Sequence, residues 1–269
     1  MNLLANTPLV SFYMTVRNGF PYIAHSIESL KRQTYGNWEA VIVDDGSADS
    51  TPEYLESITA EDERFRLIAA GGVGRGRALN IALANVRGRF VANLDADDLA
   101  HPVRAELQVR TLTRAGAPFV CGEMRVIYDG EDVMWEGLGP DLEVPVVDIS
   151  DRLVMHNPVS HSSVMMDREL LSRIGGYDEN RIAQLDYELW FRLAKHGVRL
   201  HEMQCCLGAK RIHASQSFEN KNRLKYLWSS FLLQNRIIAE FEADRRYRAY
   251  ALGRLAYGVL PQRLRVSRR

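Results

Sequence analysis

Cysteine is scarce: the 269 residues hold three. Cys205 and Cys206 are adjacent and Cys121 stands alone. An odd number without metal-ligand spacing argues against a disulfide framework and against a cysteine metal site. A reducing, cytosolic setting is expected. Long apolar runs are also missing. No stretch approaches the roughly 18 uninterrupted apolar residues of a membrane span. The opening residues Met1-Asn2-Leu3-Leu4-Ala5-Asn6 have neither a basic start nor a long apolar run, so no signal peptide is expected. There are no internal repeats and no low-complexity segments. Net charge is absent overall, but unevenly so. Residues 221–269 contain 12 of the 34 basic and 3 of the 34 acidic residues, a net of +9, which leaves −9 for the rest. An acidic body with a basic tail is the expectation.

What is present is ordinary globular material, 46% apolar and 25% charged, enough for one large domain with an appendage. Strand-like and helix-like segments alternate along the first hundred residues. Leu9 to Thr15, Trp38 to Val43, Phe65 to Ala69 and Phe90 to Leu94 read as strands. Tyr22 to Arg32 carries Ile23, Ile27 and Leu30 at helical spacing, and Ser50-Thr51-Pro52 marks a second helix start. A glycine-rich loop, Gly71 to Gly76, leads into a helix near Arg77 to Asn85. Such alternation predicts an α/β fold, a mostly parallel sheet flanked by helices, with its ligand crevice at the carboxyl ends of the strands. From Phe119 to Val147 short β-like runs broken by Gly and Asp predict a mixed or antiparallel extension. Leu185 to His196 is an amphipathic helix stopped by Gly197, and a long helical region follows from Arg223 to about Asp244.

The run Asn93-Leu94-Asp95-Ala96-Asp97-Asp98 puts three carboxylates where an apolar strand leaves the core. Carboxylates so crowded repel one another unless a cation lies between them. Oxygen ligands on a tight loop suit Mg²⁺ or Mn²⁺, which would also hold substrate phosphates. The competing reading is an acidic loop capping a helix that starts near His101-Pro102.

These segments line up with a known family. Val10 to Gly19, the run Val41-Ile42-Val43-Asp44-Asp45-Gly46-Ser47, the Asp95-Ala96-Asp97 triplet, and the pair Gly175 to Glu179 and Asp186 to Leu193 resemble family 2 glycosyltransferases of the GT-A fold. The resemblance covers roughly residues 9 to 215. Four motifs in order and spacing make it specific. It implies a GT-A-like domain over 1–218, with a nucleotide-sugar half (1–100) and an acceptor half (101–218), and a basic helical extension over 219–269. It implies inverting transfer of a sugar from a nucleotide-diphosphate donor to a hydroxyl of a glycan or lipid-linked acceptor, in cell-surface polysaccharide or glycolipid synthesis. Nucleic acid is not an expected partner. A nucleotidyltransferase and a non-catalytic nucleotide-sugar-binding module are the rival classes. The first would not need Asp186, and the intact run from Asp186 to Leu193 argues against the second.

The resemblance also assigns residues. Asp44 would hydrogen-bond the base; the alternative is a turn residue beside Gly46, a role that Asp45 and Ser47 fit better. Thr15 and Arg17 stand where the family usually has a proline and a base-stacking aromatic, and a guanidinium plane can also stack. Arg75 and Arg77 flank the glycine-rich loop, and either could bind phosphate bidentately. Asp95 would contact ribose or metal, Asp97 would be a metal ligand, and Asp98 a helix-start or orienting residue. His213 would join the metal shell, in a segment (Arg211 to Ser217) that would close over the diphosphate; a structural or surface histidine is its alternative. Asp186 would be the general base, against a plain helix N-cap. His161 and His156 could line the acceptor pocket, with Trp190 as core and pocket wall. The tail, with seven arginines and no acid over 246–269, suits peripheral contact with the inner face of a cell membrane.

Overall fold

The computed structural model describes residues 7–135, 137–213 and 223–260. Its centre is a nine-stranded mixed sheet. The first four major strands, β1 (Val10–Val16), β2 (Trp38–Asp44), β3 (Phe65–Ala69) and β4 (Phe90–Asn93), alternate with helices α1 (Tyr22–Lys31), α2 (Thr51–Glu61) and α3 (Arg75–Asn85). They lie parallel in the order β3-β2-β1-β4. Their apolar character on both faces follows from burial on both faces. Successive side chains point to opposite sides of the sheet. Phe12, Met14, Ala40 and Ile42 therefore pack with α1 and α2, while Tyr13, Val41 and Val43 pack with α3.

Beyond β4 come a two-residue strand β5 (Leu99–Ala100), helix α4 (Arg104–Ala115), strands β6 (Phe119–Tyr128), β7 (Val146–Asp148) and β8 (Met165–Asp167), helices α5 (Arg168–Ile174) and α6 (Leu185–Lys195), and strand β9 (His201–Ile212). β8 runs antiparallel between β4 and β6, and β9 lies parallel to β6 with β5 and β7 against it. The mixed extension is therefore a continuation of the same sheet. β6 is one ten-residue strand where two short runs were expected, with register shifts at Gly122 to Met124 marking the break. β8 and β9 were not anticipated. Helix α4 starts at Arg104, past the expected His101-Pro102.

Helices α7 (Arg223–Glu240) and α8 (Arg246–Val259) follow. α7 is seated on the body: Leu233 and Ile237 join the core on the α6 side, and Gln234 Nε2 donates to the carbonyls of Val154 and Met155. α8 lies on α7, where Arg223 donates to Gly258 O and a Cβ on Gly258 would meet Leu227 Cδ2 at 2.6 Å. No helix among the described residues is long and apolar enough to cross a membrane. Residues 214–217 of the expected closing loop, and tail arginines Arg263, Arg265, Arg268 and Arg269, lie outside the described residues.

Candidate active site

The carboxyl ends of β1, β2 and β4 meet the start of α3 and the start of α6. At β2, Asp44 and Asp45 point differently because they are neighbours at a strand end. Asp44 Oδ1 accepts from Ser47 N at 3.0 Å and from Ser47 Oγ at 2.6 Å. Asp44 thus shapes the local turn through one oxygen. Asp45, read from the sequence as the turn residue, instead accepts from Gly74 N with both oxygens (3.2 and 3.1 Å) and ties the glycine-rich loop to β2. Gly46 has φ of +82°, and a Cβ there would sit 3.0 Å from Gly72 N, so only glycine lets the two loops touch. Thr15 lies near the end of β1, in register with Val43, and exposed Arg17 follows just past the strand.

The acidic loop sorts its carboxylates. Asp95 is gripped by Arg75, whose Nη2 donates to both oxygens at 2.9 and 3.0 Å. Arg77 makes no such contact and is exposed. His161 Nδ1 lies 3.3 Å from Asp95 Oδ1. Burial opposes ionisation of Asp95, but Arg75 and His161 outweigh it and hold its carboxyl below the usual range. Asp95 in turn pushes Arg75 further up, with a smaller contribution from Asp186. Asp98 is 4% exposed and goes the other way: burial, then the Asp97 and Asp95 charges, raise it well above the carboxylate range. It accepts from Arg211 N at 3.1 Å. It therefore orients β9 against the loop and does not start α4. Asp97 is 3.1 Å from His213 Nε2, and the His213 ring stacks on Tyr22 at 4.1 Å between centroids. Among the described residues no three His, Cys, Asp or Glu side chains gather as a metal site.

The other side of the crevice is built on α6. Gln184, at φ +58°, is the N-cap; Asp186 sits in the first turn. The Asp186 side chain does not cap the helix. Its Oδ2 accepts from Asn157 Nδ2 at 2.7 Å. The preceding loop is bolted on both sides. Arg192 of α6 donates to Ile174 O and Gly176 O at 2.7 and 2.5 Å, and Asn80 of α3 exchanges hydrogen bonds with the backbone of Tyr177. Gly176 permits this: a Cβ there would be 2.5 Å from Asn80 Oδ1. His161 Nε2 lies 2.6 Å from Tyr177 Oη, so this histidine connects the loop to Asp95. Trp190 is fully buried against Phe119 and His161. It belongs to the core behind the site and offers no wall to a ligand. His156 is half-buried, its imidazole pushed down by burial and then by Arg254 and Arg152.

The structure therefore joins Arg75, Asp95 and His161 in one group, Asp97 with His213 in a second, and Asp186 with Asn157 in a third. Asn157, Tyr177 and Asn80 were not singled out from the sequence. Tyr177 lay inside a quoted motif, but only its hydroxyl geometry reveals a role. Buried Arg104 is another: its Nη2 donates to Asn93 O and Val164 O at 2.9 and 3.0 Å, fastening the strand that ends in the acidic loop.

The comparisons bear on the family and the fold. The chain is 28% identical over 243 residues to a putative glycosyltransferase, EpsE, of Bacillus subtilis, spanning 89% of this chain and 83% of that one. It is 29% identical over 238 residues to an uncharacterized glycosyltransferase of Rickettsia prowazekii, spanning 84% and 72%. A match of equal identity in Rickettsia felis covers 84% of this chain but only 38% of its longer relative. Among solved structures, S. aureus TarS in complex with UDP-GlcNAc superposes with a TM-score of 0.65 at 17% identity, over 94% of this chain and 82% of that one. A mannosyltransferase of Pyrobaculum calidifontis in complex with GDP-Man and Mn²⁺ gives 0.67 at 20%, over 94% and 75%. The sheet order and its flanking helices are thus those of the GT-A fold. The profile described as glycosyl transferase family 2 matches residues 11–175, from β1 through the acidic loop to the glycine that ends α5, and with that the chain belongs to this family.

Proposed function

We propose that the chain moves a sugar from a nucleotide-diphosphate donor to an acceptor hydroxyl with inversion, in cell-surface polysaccharide or lipid-linked glycan synthesis. The observation that carries the reading is Arg75. Its Nη2 holds both oxygens of Asp95 in the loop that follows β4, at the carboxyl ends of the parallel strands where a nucleotide diphosphate would lie. Asp44 and Arg17 would meet the base, Asp95 the ribose, and Arg75 the diphosphate. Asn157 occupies Oδ2 of Asp186, which leaves Oδ1 for the acceptor. That oxygen takes the hydroxyl proton as the acceptor oxygen bonds the anomeric carbon and the nucleoside diphosphate leaves with the electrons of the broken C–O bond. Asp97 and His213 supply one carboxylate and one imidazole 3.1 Å apart. So small a protein donor set fits Mg²⁺ or Mn²⁺, which are commonly completed by substrate phosphates and water. A bound cation would neutralise charge on the leaving diphosphate.

The basic helices α7 and α8 would bring the enzyme to an anionic membrane surface, where a lipid-linked acceptor resides. Leu224, Trp228 and Leu232 project from successive turns of α7, all more than half exposed, beside Lys225 and Arg236. The deciding experiment is a panel of nucleotide sugars scored by thermal shift and by slow donor hydrolysis, with Mn²⁺ and with chelator. A ligand at a hundredfold its Kd stabilises by about 2.7 kcal/mol. If no nucleotide sugar shifts the melting temperature or is hydrolysed, the reading fails.

A further inference from the structure

A run of close polar contacts leads from the core of the sheet to the Asp95 carboxylate, two hydrogen bonds followed by a 3.3 Å approach. Tyr13 Oη lies 2.7 Å from Tyr177 Oη, Tyr177 Oη lies 2.6 Å from His161 Nε2, and His161 Nδ1 lies 3.3 Å from Asp95 Oδ1. Tyr13 is 0% and Tyr177 2% exposed, so neither hydroxyl can turn to bulk water. The protons can then be placed by elimination. If Nδ1 carried no proton, its lone pair would face the Asp95 carboxylate, and two acceptors would repel. If both ring nitrogens carried protons, Nε2–H would donate to Tyr177, Tyr177 to Tyr13, and the Tyr13 proton would have no acceptor among the described residues. A buried donor without an acceptor is destabilising. One pattern satisfies every group: Tyr13 donates to Tyr177, Tyr177 to His161 Nε2, and His161 Nδ1–H to Asp95.

We infer that His161, fixed as its neutral Nδ1–H tautomer by Tyr177, is a positioning residue that keeps Asp95 aimed when Arg75 lets go. Asp95 has two holds of different kinds. The Arg75 side chain is 52% exposed and that of His161 is 8% exposed. An incoming diphosphate can draw the exposed guanidinium away; it cannot reach the imidazole behind the carboxylate. Asp95 then stays oriented and accepting toward the ribose while its former counterion serves the phosphates. Tyr177 sits in the loop pinned by Asn80 and Arg192, so the aim of the donor carboxylate is set by the same loop that leads into Asp186. The inference rests on the donor reading above for the exchange of Arg75, but not for the tautomer.

The test uses the full chain labelled with ¹⁵N-histidine and ¹⁵N-arginine, with UDP or GDP as probe, whichever binds the wild type more tightly, plus Mg²⁺. In the free protein the His161 ring should show a protonated Nδ1 and a bare Nε2. On saturation the Nδ1–H signal should persist while the Arg75 signal moves. Tyr177→Phe removes the donor to Nε2 and leaves the buried Tyr13 hydroxyl without its partner. It should weaken probe binding about tenfold and lower the melting temperature, with circular dichroism near wild type. The double variant Tyr13→Phe/Tyr177→Phe, with no orphaned hydroxyl, should recover stability but not probe binding. Tyr13→Phe removes only the terminal donor and should leave both the tautomer and the affinity within about twofold. A protonated Nε2 in the free wild type overturns the assignment. A chain that binds neither probe overturns the exchange of Arg75 and the donor reading with it, while the tautomer is still read directly. Loss of the His161 Nδ1–H signal on probe binding overturns the hold itself.

Discussion

Asp186→Asn separates chemistry from architecture in this site. Among the described residues the carboxylate is held by one hydrogen bond, from Asn157 Nδ2 to Oδ2 at 2.7 Å. A carboxamide at 186 can turn its oxygen toward Asn157 and keep that bond, so helix α6 and its loop should stand. The second position then becomes an N–H₂, which donates and cannot take a proton. Loss of a general base lowers turnover by about 10²–10⁴, or about 2.7–5.4 kcal/mol in activation free energy at roughly 1.36 kcal/mol per decade. Asn157→Ala gives the internal scale. It deletes a hydrogen bond to a charged group, worth about 1.5–3 kcal/mol at most, so its effect should stay within about 10–10²-fold. The order of damage is therefore Asp186→Asn, then Asn157→Ala, then wild type. Single-turnover transfer at saturating donor reads the chemical step, and calorimetric titration of the donor should give nearly unchanged affinity in both variants. Normal transfer by Asp186→Asn would remove it as the base. So would a selective loss of donor affinity, because a base facing the acceptor does not hold the donor.

Three further outcomes are expected. Asp97→Asn replaces the carboxylate of the Asp97–His213 pair; metal-dependent donor binding and turnover should disappear with the melting temperature retained, and wild-type activity in chelated buffer repleted with Mn²⁺ would exclude Asp97 as a ligand. Asp148 ties β7 to Arg199 at 2.6 Å and to Ser150, and although burial opposes its ionisation, the Ser150 hydrogen bonds and Arg199 bring it down to about 2. A folded value below the unfolded value of about 3.9 gives stability that is complete above the unfolded value and lost as pH falls toward 2, about 1–2 kcal/mol after allowance for partial exposure; urea unfolding at pH 7 and pH 3 should show a smaller difference for Asp148→Asn than for wild type. Arg245→Glu combined with Arg248→Glu, both exposed on the last helical hairpin, should weaken co-sedimentation with anionic vesicles by about 1 kcal/mol or more per residue and leave neutral vesicles unaffected, and unchanged recovery at low salt would refute the membrane contact.

The first half of the fold could be read from the sequence because its strands are apolar on both faces and its helices carry strong spacing. β9 could not, although it has a clear period of two: Met203, Cys205, Leu207, Ala209 and Arg211 are all buried. The period is written in Cys, Gly, Ala and Lys, residues with weak strand preference, and the partner strand β6 shifts register twice against it. β8 has three residues, too few for any pattern to show. In the site, the chemistry-bearing residue types were legible and their partners were not. Asp44 and Asp45 illustrate why. Two identical side chains at adjacent strand positions leave opposite faces, and only the neighbouring loop decides that Asp45 meets Gly74 and Asp44 meets Ser47.

The acidic loop carries the same point into electrostatics. Crowding of three carboxylates suggested a cation between them. The fold relieves much of the crowding with its own groups. Asp95 is answered by Arg75 and His161; Asp98 is buried, pushed toward its neutral form and bonded to the Arg211 N–H; Asp97 turns toward His213. Repulsion alone therefore does not require a metal, since a guanidinium already stands in the place a cation would take beside Asp95. The case for Mg²⁺ or Mn²⁺ narrows to Asp97 and His213, which lie on separate segments, the loop after β4 and the residue just after β9, brought together by the β5–β9 pairing. On the proposed reading, Arg75 would be a counterion of Asp95 that exchanges it for the diphosphate. Before the donor arrives it keeps the loop electrically satisfied. On that same reading, a diphosphate that drew it off would cost Asp95 a positive neighbour as a cation at Asp97 and His213 supplied another, so donor and metal would favour each other's binding.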